Sequence, residues 1–224
     1  MRVRSSSPPL TSEGAKQAYT LDVTSPESLW MQLREGSRFF KEEGALHSTL
    51  SGLTAKLADE GIDYAVIDGI ALLTHGYRRY TEDLDILTTR AGLGRFRGRL
   101  VGRGYRPAFP GAQKSYRDTE TNVRIDFIMA GEYPGDGKPK PVSFPDPAEA
   151  RLNKDGIWFI TLEKLVELKL ASGLSAPHRL KDLADIVELI VSRALSRDLA
   201  GKLDESVRTE YLRLWDAAQA RPAE

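Results

Sequence analysis

The sequence predicts an α+β (α/β) fold: a small mixed β-sheet flanked by helices, followed by a C-terminal helical part. Three observations carry this. Short apolar runs of strand length, such as Tyr64 to Ile67, Leu84 to Leu87 and Val123 to Met129, alternate with stretches of helical period. From Leu162 onward the pattern is helical only. Between the two parts, residues 131–148 hold three Gly and five Pro, the composition of a surface loop.

Residues 1–25 are rich in Ser, Pro, Thr and Gly and read as a flexible N-terminal arm. Ser25-Pro26 resembles a helix start, because Pro is tolerated in the first turn. The helical pattern runs to Glu60, with a break near Gly44 and an apolar stripe at Leu50, Leu53 and Leu57. Gly61 is placed to stop it. Tyr64 to Ile67 is a strand, and Gly69 opens a helix ending near His75-Gly76. Leu84 to Leu87 is the next strand, and Arg95 to Val101 the next helix. Tyr105 to Ala108, Lys114 to Arg117 and Val123 to Met129 read as strands, the last two joined by a hairpin turn at Asp118-Thr119-Glu120-Thr121. Gly156 to Ile160 is one more short strand. Helices follow at Leu162 to Gly173, Arg179 to Leu195 and Glu205 to Ala220. The expected division is an arm (1–25), an α/β core with its N-terminal helices (26–160) and a C-terminal helical region (161–224).

Composition narrows the chemistry. The chain has 224 residues, 41% of them hydrophobic, enough for a real core. Lys+Arg and Asp+Glu are equal at 32 each, so net charge gives no vote for nucleic acid. Cysteine is absent, which excludes disulfides and thiolate metal sites. With three His, a His-rich zinc site is not expected. No apolar run approaches the ~20 residues of a membrane span, and a cytoplasmic protein without membrane partners is the expectation.

The chemistry-bearing stretch runs from Ile67 to Ile86. Asp83 and Asp85 sit two apart in an apolar strand-like run, so both point to one face. Like charges so placed call for a cation between them, and a hard divalent ion such as Mg²⁺ prefers oxygen ligands. Asp126, in Arg124-Ile125-Asp126-Phe127-Ile128, is placed to complete the set from a second strand. Three carboxylates around paired metals suit phosphoryl or nucleotidyl transfer. Upstream, Gly69 lets backbone approach a phosphate closely, and the helix after it offers free N–H groups.

These residues resemble the nucleotidyltransferase superfamily of the DNA polymerase β type, whose pattern is a glycine turn, 9 to 13 residues, then Asp-h-Asp/Glu-h. Here Ile67-Asp68-Gly69 precedes Asp83-Leu84-Asp85-Ile86 by 13 residues. The fuller pattern is similar to AbiEii-like nucleotidyltransferases, which include toxins of toxin–antitoxin systems: Gly69-Ile70-Ala71, His75-Gly76, Arg79-Tyr80-Thr81-Glu82-Asp83-Leu84-Asp85, Lys169 in a helix, and Arg179-Leu180-Lys181-Asp182-Leu183-Ala184-Asp185. The resemblance covers roughly residues 60 to 192. It implies Asp83, Asp85 and Asp126 as Mg²⁺ ligands, with Asp126 also the general base. It also implies a nucleotide site made of Gly69, Ile70, Arg79, Thr81, Lys169, Arg179 and Asp182, with Lys169 on the triphosphate and Arg179 and Asp182 in support. The donor would be an NTP, ATP among them. The acceptor would be a tRNA end, with a small hydroxylated molecule as rival and a protein hydroxyl third, and a cognate antitoxin would be a partner.

One position departs from the pattern. Asp68 stands where the first glycine of the usual pair would be, and a carboxylate there repels triphosphate unless it faces away or meets metal. It favours a rival of another class, a non-catalytic nucleotide-, RNA- or protein-binding module. Bland readings stand beside the others. Lys181 and Asp185 are spaced as a helix ion pair, Asp126 is placed to pair with Arg124, and His75 reads as structural. The cluster Arg95, Arg97, Arg99, Arg103 and Arg106 is a solvated face or an RNA phosphate contact. Trp158 and Trp215 read as packing residues.

Overall fold

The strand that carries Asp83 and Asp85 lies in the middle of a seven-stranded mixed sheet. The computed structural model describes residues 44–220. The expected arm, and the part of the first helix before Gly44, lie outside the described residues. The strands are β1 (Tyr64–Ile67), β2 (Asp83–Thr88), β3 (Tyr105–Pro107), β4 (Ser115–Asp118), β5 (Arg124–Met129), β6 (Arg151–Lys154) and β7 (Ile157–Ile160). Their order is β3-β4-β5-β2-β1-β7-β6. β2 runs parallel to β5 and antiparallel to β1, and β1 runs parallel to β7. β3, β4 and β5 form an antiparallel meander, and β6 and β7 a hairpin. The helices are α1 (Ala45–Asp59), α2 (Asp68–Thr74), α3 (Arg90–Arg99), α4 (Leu162–Ser175), α5 (Leu180–Arg193) and α6 (Glu205–Gln219). Among the described residues, no helix is long and apolar enough to cross a membrane.

Local chemistry sets the element ends. Gly44 (φ 98°) ends the N-terminal pattern where the sequence placed a break, and α1 begins after it. Gly61 (φ 60°) turns the chain out of α1, and the Ile62 N–H donates to the Leu57 carbonyl at 2.8 Å, closing a Schellman motif. The α2 exit repeats the device, with Gly76 at φ 95° and the Tyr77 N–H donating to the Leu72 carbonyl. Thr89 caps α3 by accepting from the Gly92 N–H at 3.0 Å. That cap starts the helix five residues earlier than the apolar pattern from Arg95 suggests. The second difference is β6. Asp155 (φ 54°) and Gly156 (φ 82°) form the Asp-Gly corner of a β6–β7 hairpin, so Gly156 belongs to a turn and not to a strand.

Strand alternation divides the interior into two cores. On one face, Val66, Leu84, Ile86, Ile125 and Phe127 pack against Leu50, Leu53 and Leu57 of α1 and Leu93 and Phe96 of α3. The three fully buried leucines contribute about 1.5–3 kcal/mol each, which fixes α1 to the sheet. On the other face, Ala65, Ile67, Leu87 and Ile160 pack against α4, α5 and α6. No residue of β3 or β4 belongs to this second core. The C-terminal helices therefore cover β1, β7 and the Leu87 and Ile128 positions of β2 and β5, and leave β3 and β4 outside this core.

Candidate functional site

Asp83 and Asp85 alternate with the buried Leu84 and Ile86, so both carboxylates lie on the half-covered face. The parallel register sets Asp85 beside Asp126 and Asp83 beside Arg124, on strands about 4.8 Å apart. Arg124 Nε donates to Asp126 Oδ2 at 2.9 Å, and the Ser115 hydroxyl of β4 also donates to Asp126. The pairing with Arg124 is thus present. Ser115 is a contact that the sequence reading missed, since it depends on the β4–β5 register.

Asp85 and Asp126 line a cleft of about 330 Å³ together with Asp68, Lys169, Ser172, Arg179 and Asp182. Its apolar wall includes Leu165 and Leu168 of α4, and Pro134 and Phe144 of the Gly/Pro-rich loop. The structure thereby brings Asp85 and Asp126 to one cavity with side chains of α4 and α5, while Asp83 lies on the same face two residues before Asp85, outside this lining.

Lys169 is buried, and three carboxylates surround its ammonium. Nζ lies 2.7 Å from Asp68 Oδ1, 3.0 Å from Asp182 Oδ1 and 2.9 Å from Asp185 Oδ2. Arg79 joins from the loop before β2, at 2.6 Å from Asp185 and 3.7 Å from Asp68. Arg179 lies 3.2 Å from Asp182, and its Nε donates to Ser172 Oγ at 3.0 Å, while that hydroxyl donates to Asp182 Oδ2 at 2.6 Å. The network therefore joins three carboxylates to three cations. Burial alone would favour a neutral amine at Lys169, but Asp68, Asp182 and Asp185 hold it charged above the usual lysine range. Burial likewise opposes ionisation of Asp68, yet Lys169, with Arg79 and Arg179 behind it, holds that carboxyl below its usual range.

The oxygens of Asp68, Asp182 and Asp185 come within 4.8 Å of one another, a spacing fit for a cation. The Lys169 ammonium contacts all three and already serves as that cation. Asp185 turns inward to Lys169 and Arg79, where the helix spacing suggested Lys181. Among the described residues, Asp83, Asp85 and Asp126 do not form a cluster of that tightness, and Asp126 pairs with Arg124 along its own strand. Among the described residues, Arg124 is the one cation bonded to these three acids. Burial, then the charges of Asp68, Asp126 and Asp83, push the Asp85 carboxyl up to about 7. Asp83 is raised too, by burial first.

Gly69 lies in α2 with its Cα against Thr81. A Cβ there would fall 2.7 Å from Thr81 Oγ1 and 2.8 Å from Thr81 Cβ. Thr81 Oγ1 in turn donates to the Asp83 carbonyl at 3.2 Å, so Gly69 sets the position of the chain entering β2. Gly69→Ala is expected to cost about 1–3 kcal/mol in urea unfolding, and Thr81→Gly in the same chain should recover most of it. If the double variant is no more stable than Gly69→Ala alone, the contact is not the cause. Asp68 opens α2 at φ 52°, a left-handed backbone that glycine adopts more easily. The Ile70 side chain is buried in the first core, which leaves only its backbone for any ligand contact. His75 bonds the Ile160 carbonyl at 2.8 Å and, mainly through burial, titrates below its usual value, as befits a neutral structural ring. The indole N–H of Trp215 donates to the Leu195 carbonyl, and Trp158 lies under the Arg151 guanidinium.

No family model matches the chain, and no curated protein does. Among solved structures, the crystal structure of ANT(2")-Ia in complex with adenylyl-2"-tobramycin is similar at 14% identity and a TM-score of 0.48, over 74% of this chain and 97% of that one. The crystal structure of JHP933 from Helicobacter pylori is similar at 14% identity and a TM-score of 0.30, over 90% of this chain and 92% of that one.

Proposed function

We propose that this chain is a Mg²⁺-dependent nucleotidyltransferase that moves a nucleoside monophosphate from an NTP to a hydroxyl. The observation that carries the reading is the uneven charge around one cleft. The Lys169 network balances its own charges, whereas Asp83, Asp85 and Asp126 meet a single bonded cation, Arg124. Three carboxylates beside one bonded cation leave a net negative site, and burial followed by the neighbouring acids raises the Asp85 carboxyl. The donors are all hard oxygens, and Asp85 and Asp126 sit in register, so the set fits magnesium. When bound there, magnesium would neutralise phosphate charge and acidify the attacking hydroxyl.

The chain's own residues supply the rest. Lys169 and Arg179 line the cleft as phosphate contacts, and Asp182 and Ser172 orient them. The acceptor oxygen forms a bond to the α-phosphorus, the bond from that phosphorus to the bridging β-oxygen breaks, and pyrophosphate leaves with the electron pair. The hydroxyl proton passes to Asp126. The motif order from Gly69 to Asp185 supports the AbiEii-like reading, with a tRNA end as acceptor, a toxin role and an antitoxin partner.

The contact between Asp68 and Lys169 favours a second reading, a non-catalytic nucleotide-, RNA- or protein-binding module, because a triphosphate must displace Asp68 to reach that ammonium. One experiment separates the two. The protein and its Asp83→Ala variant are incubated with each α-³²P-labelled NTP, Mg²⁺ and total RNA, and thermal shift is recorded in parallel. Transferred label that disappears in Asp83→Ala supports the enzyme. Stabilisation by Mg²⁺-NTP without label in RNA or protein shifts the acceptor to a small hydroxylated molecule, and absence of Mg²⁺-NTP binding as well leaves the non-catalytic module as the leading reading.

A further inference from the structure

The uncovered part of the sheet carries a line of arginines in register. Arg106 stands opposite Arg117 across β3–β4, Arg117 opposite Arg124 across β4–β5, and Arg124 opposite Asp83 across β5–β2. Their chain neighbours Tyr105, Tyr116 and Ile125 are buried on the α1/α3 face. Alternation therefore puts all three guanidinium stems on the opposite face, the one bearing the acids. At about 4.8 Å per strand, they form a straight row that ends at Asp83. The sequence cluster splits accordingly. Arg95, Arg97 and Arg99 lie on α3, across the sheet, and only Arg106 joins the row.

Like charges directly opposite one another weaken a strand pair, so this row opposes the folding of the meander that carries it. Among the described residues, neither Arg106 nor Arg117 has a carboxylate partner. Arg106 donates to Asn122 Oδ1 at 2.9 Å and Arg117 to the Asn122 carbonyl at 2.7 Å. Both guanidiniums are thus anchored through Asn122 without a direct carboxylate bond, and Arg117 also acts on Asp83 at the end of the row. Just past β3, Phe109 is 56% exposed, a large ring at the rim of the same meander.

We propose that the row Arg106–Arg117–Arg124 is a track for the sugar–phosphate backbone of a single-stranded polynucleotide whose terminal hydroxyl lies at Asp83 and Asp85. The proposal rests on the nucleotidyltransferase reading and names its acceptor class. Three guanidiniums ~4.8 Å apart span roughly 10 Å, about three phosphate intervals at the ~3.4 Å rise of a stacked strand, so each can meet one phosphate of a short run. An exposed ring beside such a track is what base stacking uses.

The test is fluorescence anisotropy with a labelled single-stranded RNA oligonucleotide, titrated at several salt concentrations. The proteins are the wild type, R106Q/R117Q, R106K/R117K and, as a control from the other face, R97Q/R99Q. R106Q/R117Q should bind roughly tenfold more weakly or worse, with the slope of log affinity against log salt reduced by about 1.4, two phosphate contacts' worth for a single strand. R106K/R117K should keep the slope, and R97Q/R99Q should behave as wild type. Three results would overturn the track: R106Q/R117Q binding as wild type does, the lysine variant losing as much as the glutamine one, or polyglutamate competing as well as RNA does. The lysine outcome would mean that the Asn122 anchor, not the charge, matters, and thermal unfolding of each variant checks the fold. Mg²⁺-NTP binding by the same preparations is a separate readout. Its absence in the wild type would end the transferase reading, while the RNA titration alone decides the track.

Discussion

Asp85→Asn is expected to abolish transfer and, in the absence of metal, to stabilise the protein. The loss of rate should be roughly three orders of magnitude or more, the scale on which removing one member of a catalytic unit registers. The gain in stability follows from the charge environment. Burial first, then Asp68, Asp126 and Asp83, raise the Asp85 carboxyl to about 7, with only Lys169 opposing. In the unfolded chain the same group titrates near ~3.9. Between these values the folded state holds a proton that the unfolded state has lost, so stability falls as pH rises. The contribution is fully present below about 4 and gone once pH passes the folded value of about 7. Melting curves in EDTA from pH 5 to pH 8 should therefore show the wild type losing stability with rising pH. Asparagine cannot titrate, so the variant should be flatter across this range and more stable at pH 8. Saturating magnesium should remove the slope from the wild type. Parallel curves for the two proteins in EDTA would show that Asp85 is not the strained group.

Lys169→Met should have the largest effect on stability. Methionine keeps much of the stem but removes the ammonium from Asp68, Asp182 and Asp185, whose oxygens lie within 4.8 Å of one another. Asp182 and Asp185 are buried, and Arg79 and Arg179 cannot balance three carboxylates. Breaking a buried charge network from one side costs about 3–5 kcal/mol, a large share of the roughly 5–15 kcal/mol that holds a domain folded. Lys169→Arg, which keeps the charge, should lose much less. Urea unfolding at neutral pH measures both. An unchanged midpoint for Lys169→Met would mean that the three acids share their charge with something else. In Asp68→Asn the loss should be small, because the Asp68 side chain is 37% exposed and water can replace what it gives up.

Much of the fold was legible because its signals are local. The glycines at 44, 61 and 76 mark helix ends with left-handed backbone, and each falls where the sequence places a break or stop. The apolar runs around Asp83 and Asp126 alternate as strands, and the Gly/Pro-rich stretch from Gly131 is without helix or strand until β6. β6 was missed although Asp155-Gly156 is a strong hairpin signal, because Arg151-Leu152-Asn153-Lys154 carries a single apolar residue. The site was less legible than its motif suggests. Asp83, Asp85 and Lys169 are visible as residues, but who meets whom depends on contacts spanning nearly half of the chain. Asp68 and Lys169 are 101 residues apart, and Arg79 and Asp185 are 106 apart. Seen along the chain, Asp68 is a carboxylate intruding on a phosphate turn; in space it is a partner of Lys169. The arginine row is likewise invisible until strand register is known, since its members come from three strands.

That long separation also has a consequence for the order of synthesis. A ribosome making this chain delivers the acidic strands β2 and β5 well before Lys169, Asp182 and Asp185 emerge. Until α4 and α5 dock, Asp68 and Arg79 lack most of their counter-charges and one wall of the cleft is missing. A nascent or prematurely terminated chain thus holds the acidic strands but not the assembled cleft. The cleft would therefore be complete only once α4 and α5 have emerged, a built-in delay between translation of the acidic strands and assembly of the site.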